Sequence, residues 1–125
     1  MRKGSLVLIA ALAISLIVPA AVHAIRQPTA KEAAQIASVV HLPVSCAKVR
    51  VSTVTKKPKW GSVSFKPGPA TCEPLASDGV TVVRKSNGRW HFVTAGSSFG
   101  CSELYAQVPT PVAKDLRIKC SSQAG

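Results

Sequence analysis

Apolar residues are distributed along this chain in three ways. From Leu6 to Val22 they run almost without interruption. Ala33, Ile36, Ala37 and Val40 recur at the three-and-four spacing of one helical face. From residue 48 onward they alternate with polar residues, the two-residue period of strands half buried in a sheet.

The helical spacing predicts a helix over residues 30–41. Thr29-Ala30-Lys31-Glu32 opens it as a capping box. The Thr29 hydroxyl can accept from the Glu32 amide, and the Glu32 carboxylate can accept from the Thr29 amide. Pro43 closes it, because proline biases the preceding Leu42 away from helical geometry.

Alternation predicts a strand over 48–54, with Val49 and Val51 on one face. Thr55-Lys56-Lys57-Pro58-Lys59 reads as a charged turn. The return strand is 60–65, with Val63 and Phe65 on one face and Trp60 on the other. Lys66-Pro67-Gly68-Pro69 ends it, since prolines cannot donate to a ladder. Residues 66–78 then read as a loop pinned at Cys72.

The clearest hairpin is 79–95, turning at Asn87-Gly88, a pair suited to the positive φ angles of a two-residue type I′ turn. That turn sets Ser86 against Arg89, Lys85 against Trp90, Val83 against Phe92 and, on the opposite surface, Val82 against Val93. Both surfaces carry apolar residues. Area favours Val83, Trp90 and Phe92 as core, because aromatics bury the most. Residues 96–100 read as a loop, 102–108 as a last strand with Tyr105, and Thr110-Pro111 as the cap and first position of a short helix whose apolar face is Val112 and Leu116. The architecture expected is α+β: an N-terminal helix on an antiparallel meander of four or five strands, with a short C-terminal helix.

The unbroken run at the start needs a different explanation. Arg2 and Lys3 precede it, and Val22-His23-Ala24 comes after it with small or aliphatic residues where a signal peptidase reads. This is the layout of a secretory signal peptide cut after Ala24. The run has about 17 residues, at the lower edge of the roughly 17–25 that span a bilayer, and Pro19 interrupts it. No later apolar run is long enough to cross a membrane, so the mature product, residues 25–125, is expected to be a soluble, exported single domain.

Export changes the reading of the cysteines. Cys46, Cys72, Cys101 and Cys120 are an even set, and outside the cytosol disulfides are the default. Three connectivities are open. Nearest-neighbour pairing, Cys46–Cys72 and Cys101–Cys120, is favoured because it closes two short loops that flank the central hairpin. Zinc usually needs closely spaced ligands such as Cys-x-x-Cys, which are absent, so neither a metal nor a cofactor is expected.

Charge narrows the class of partner. Without Arg2 and Lys3 the chain keeps 14 basic residues against five acidic ones, a net of +9. Such an excess favours anionic surroundings: cell-envelope polymers, lipid head groups or nucleic acid. Export disfavours nucleic acid. The basic residues cluster at the two hairpin tips: Lys56, Lys57 and Lys59 beside Trp60, and Arg84, Lys85 and Arg89 near Trp90. Basic tips beside aromatics can track phosphates and stack on rings. They can equally be solvated turns whose tryptophans pack inward, which the scarcity of aromatics favours here.

Catalytic patterns are thin. Gly96-Ser97-Ser98-Phe99-Gly100 matches the Gly-x-Ser-x-Gly of a hydrolase elbow, but no histidine lies downstream of it, and a glycine-rich turn explains it better. His41 and His91 stand alone, and the five acidic residues are scattered. A small enzyme would need His91 gathered with Glu103 or Asp115.

Gly88-Arg89-Trp90, Gly96-Ser97-Ser98-Phe99-Gly100-Cys101, Val108-Pro109, Asp115-Leu116 and Cys120 together resemble small exported proteins of actinobacterial type. The likeness covers mainly residues 79–120. It implies a Cys101–Cys120 bridge and a bacterial exported location, and it carries no catalytic residue over. The expectation is therefore a non-enzymatic binding domain for an anionic envelope component or a secreted protein, contacting it through Lys56, Lys57, Lys59, Arg84, Lys85 and Arg89. The alternative is an inhibitor of a secreted hydrolase, presenting residues 66–74.

Overall fold

The computed structural model describes residues 26–122. The predicted leader, residues 1–24, and its cut after Ala24 lie outside the described residues. Residues 26–122 form an α+β fold in three layers. Helix α1 (Ala30–Val39) leads into the four-stranded antiparallel sheet β1 (Ala47–Val51), β2 (Lys59–Phe65), β3 (Val80–Ser86) and β4 (Arg89–Gly96), ordered as a simple meander. Two short helices, α2 (Cys101–Gln107) and α3 (Thr110–Asp115), complete the fold. Among the described residues no helix is long and apolar enough to cross a membrane.

Local chemistry sets the ends of α1. The capping box forms as the sequence predicts: Glu32 N–H donates to Thr29 Oγ1 at 3.1 Å, and Thr29 N–H donates to Glu32 Oε1 at 3.0 Å. The helix stops two residues earlier than its pattern implies. His41 turns left-handed at φ 58°, which lets its amide reach Ser38 O and the Leu42 amide reach Ala37 O. These are the two bonds of a Schellman ending, with Pro43 next in the chain. Helix α3 ends the same way at Arg117, φ 59°, whose amide reaches Lys114 O while that of Ile118 reaches Ala113 O.

The sheet buries both of its surfaces, which is why alternation could not say which one is core. On one surface Val51, Val63, Val83 and Trp90 pack against Ile36 and Ala37 of α1. On the other, Trp60 and Val82 pack against Leu104, Val108, Val112 and Leu116 of the C-terminal segment. Gly61 lets α1 come close: a Cβ there would lie 2.9 Å from Arg50 O and 3.2 Å from Ile36 Cδ1.

Four expectations are corrected. Residues 102–108 are not a strand but lie largely in α2. Cys101, Leu104, Tyr105 and Val108 stand at helical spacing, and a fifth strand would leave the Trp60 surface uncovered. Phe92 is not core. It is 59% exposed on the edge strand β4, outside the cluster that α1 covers, whereas Val83 and Trp90 are buried. The expected register holds from Ser86–Arg89 to Val83–Phe92, and then an irregularity sets Val82 against Thr94 instead of Val93. Finally, Pro109 and not Thr110 caps α3, moving the helix start by one residue.

The cysteines pair as Cys46–Cys72 and Cys101–Cys120. The first bridge ties the start of β1 to a 3₁₀ turn at Ala70–Leu75. The second ties the first residue of α2 to the chain beyond α3. Both are compatible with a location outside the cytosol.

Candidate anion-binding cleft

Three pieces of backbone converge at one end of the sheet. The first is the chain entering α1. The Arg26 amide donates to Val51 O at 3.0 Å, so the segment before the helix is fastened alongside β1. The second is the excursion between β1 and β2, closed by Thr55 Oγ1 donating to Pro58 O at 2.7 Å across a cis Lys57–Pro58 peptide. The third is the β3–β4 tip, where Asn87 and Gly88 both adopt positive φ, 51° and 74°, as the predicted type I′ turn requires.

Between them lies a cleft of about 830 Å³, lined by Arg26, Lys31, Lys56, Lys57, Lys59 and Lys85, with Glu32 as its one carboxylate among the described residues. A smaller hollow of about 430 Å³ beside it shares Lys56, Lys57, Lys59 and Lys85 and runs toward the β3–β4 turn. Glu32 is already committed. Arg26 donates to its two oxygens from Nη1 and Nη2, each at 2.8 Å, Thr29 N–H donates to Oε1, and Lys59 Nζ stands 3.9 Å from Oε2. Lys31, Lys56, Lys57 and Lys85 form no ion pair among the described residues. Lys59 and Lys85 are direct cross-strand partners, an arrangement of like charges that costs stability.

The Arg26 fork, aided by the Thr29 amide and by Lys59, holds the Glu32 carboxyl at about 2, below its ordinary 4.5, while burial works in the opposite direction. The same contact raises Arg26, again against burial. A carboxyl whose folded value is depressed contributes stability that is complete above its unfolded value and lost as pH falls through the folded one. Urea unfolding of wild type and Glu32→Gln should therefore differ most above about pH 4.5 and converge toward about pH 2. A difference that stays constant across that window would mean that ionisation of Glu32 beside Arg26 adds no stability to the fold.

Of the six residues singled out from sequence, Lys56, Lys57, Lys59 and Lys85 come together in this cleft. Arg84 does not. It points to the other surface, with its Cζ 5.6 Å from the Trp60 ring centroid. Arg89 is exposed opposite Ser86 and does not line the cleft. Both tryptophans are buried, one in each cluster, so no indole is offered to a ligand. Sequence reasoning misses Arg26 and Lys31. Arg26 sits one residue past the start of the expected mature chain, and nothing local marks it as the strand partner of Val51. Capping alone accounts for Glu32 in the sequence, although a carboxylate in the first turn, six residues after an arginine, can serve both.

The other candidates disperse. The Ser97-Ser98 bend comes after β4, and Phe99 packs into the Trp60 cluster. Asp115 is engaged with Ser52 and Thr53 at the end of β1, while His91 on β4 is the cross-strand partner of Arg84 on β3. Residues 66–74 coil into the Ala70–Leu75 turn around the buried Cys72. Among the described residues no group of three or more His, Cys, Asp or Glu side chains is placed to hold a metal ion. Comparison with known proteins finds no matching family model, no matching curated protein and no matching solved structure.

Proposed function

We propose that the protein is an exported, disulfide-stabilised binding domain without catalytic activity, and that it holds an anionic component of a bacterial cell envelope in the Lys56–Lys85 cleft. One observation carries this reading: lysines from two separate hairpins converge with Arg26 and Lys31 around a single carboxylate that is itself neutralised. Lys59 has Glu32 at 3.9 Å, but Lys85, seated opposite it, has no ion pair among the described residues, and the two ammonium groups repel. An anion between the tips would turn that repulsion into attraction. The leader-like start, the two bridges and the resemblance to small exported actinobacterial proteins support the location.

The test uses the oxidised mature chain with bacterial cell-wall preparations and anionic vesicles. Retention should be strong at low ionic strength and fall steeply with salt. Lys56→Glu combined with Lys57→Glu should weaken it by about tenfold or more, from the loss of two attractive charges and the gain of two repulsive ones. Lys119→Glu, outside the cleft, should change it far less. No retention at low salt would sink the proposal.

A further inference from the structure

The chemistry of the cleft wall points to a narrower ligand class than "anion". We infer that the site takes a soluble polyol-phosphate chain, a run of phosphodiesters joined by hydroxylated carbons. This inference rests on the proposed binding function.

Three features of the wall select this class. The first is the kind of cation. A planar carboxylate gains most from a guanidinium fork, and the cleft's arginine, Arg26, already has both terminal nitrogens on Glu32. What remains are ammonium groups, compact point charges that suit tetrahedral phosphate oxygens from any direction. The second is the lack of aromatic surface. No aromatic residue lines either hollow, and the apolar part of the wall comes from the carbon stems of charged and polar side chains and, in the smaller hollow, from Pro58. A base has no ring to stack on, and an acyl chain meets only those stems and one proline. Among the described residues, the large apolar side chains that are exposed, Val44, Leu75 and Phe92, do not border the cleft. The third is hydroxyl and amide chemistry between the charges. Thr29 Oγ1 accepts from the Glu32 amide and keeps its own hydrogen to donate, and the Gln35 amide stands on the next turn of α1. Those groups suit the free hydroxyls of a polyol.

Shape argues for a chain and against a single phosphate. The two hollows share Lys56, Lys57, Lys59, Lys85 and Gly88 as a common border, so these cations face two adjoining spaces and not one closed pocket. The larger hollow alone falls within the roughly 300–1,000 Å³ of sites that enclose drug-sized ligands.

Four probes test this with the oxidised mature chain: poly(glycerol phosphate), polygalacturonate, single-stranded DNA, and phosphatidylglycerol vesicles, each at matched charge concentration. Poly(glycerol phosphate) should bind with a log–log salt slope of about −3, as expected when about four lysines displace counterions from a flexible polyanion. Polygalacturonate should bind at least about tenfold more weakly, and neither DNA nor vesicles should bind more tightly than the polymer. Gln35→Ala should weaken poly(glycerol phosphate) by about threefold and leave inorganic polyphosphate unchanged. Equal affinity for polygalacturonate would overturn the phosphate inference, as would preference for DNA or for vesicles, while the general anion reading would stand. Failure of all four probes at low salt would overturn both.

Discussion

Replacing Cys101 and Cys120 by serine should lower the unfolding free energy by about 3 kcal/mol, the chain-entropy value for a loop of this size. For a domain of about 100 residues that is a fall in Tm of roughly 12–24 °C. The physical reason lies in what the bridge holds. Helices α2 and α3 have seven and six residues, far below the ~12–15 at which an isolated helix becomes even marginal. They persist because Leu104, Val108, Val112 and Leu116 are buried against Trp60 and Val82. The bridge joins the first residue of α2 to Cys120, and two short backbone bonds lock the same junction: Cys101 N–H to Ser121 O at 2.9 Å and Ser121 N–H to Phe99 O at 2.8 Å. The whole cover of one sheet surface is thus a closed unit.

This prediction has its own internal reference. Trp60 lies under the C-terminal cover and Trp90 under α1. In single-tryptophan variants, made with the other indole replaced by phenylalanine, the serine pair should redden and quench Trp60 emission under mild denaturant before Trp90 responds. Simultaneous loss of both signals, at wild-type stability, would mean that the bridge holds nothing that the packing does not.

The sequence was most legible where one side chain acts on its own backbone. The Thr29–Glu32 box, the Asn87-Gly88 turn and the alternation of Val49 with Val51 each settle a local conformation, and the structure contains all three. It was least legible where the answer depends on what lies above a surface. Residues 102–108 fit strand and helix alike, and only the need to cover Trp60 and Val82 decides for helix. Phe92 has the composition of a core residue but the position of an edge one, since α1 covers Trp90 and stops short of it. The cleft shows the same division. Its lysines are visible as tip charges, but their convergence with Arg26 needs the antiparallel bridge to Val51, which no spacing announces.

Asp115→Ala should cost about 3 kcal/mol and, at the same time, weaken polyanion binding. Asp115 is buried on α3, and its Oδ2 accepts from Ser52 Oγ at 2.7 Å and from Thr53 N–H at 2.9 Å. Hydrogen bonds to a carboxylate contribute about 1.5–3 kcal/mol each, and two sharing one oxygen do not add fully. Ser52 and Thr53 line the cleft, whereas Asp115 does not, so the second helical layer holds the cleft's wall from behind. The sign of the binding change separates positioning from charge. Removing a negative charge from a basic protein should, by electrostatics alone, tighten its hold on a polyanion. Loss of the wall's anchor should loosen it, by about threefold if the wall shifts enough to cost one hydrogen bond or one well-placed lysine contact. Asp115→Asn separates the two further: it removes the same charge but keeps an oxygen for Ser52 and Thr53, so it should retain wild-type binding or exceed it. Tighter binding by Asp115→Ala than by wild type would show that Ser52 and Thr53 keep their place unaided and that the cleft owes nothing to α3.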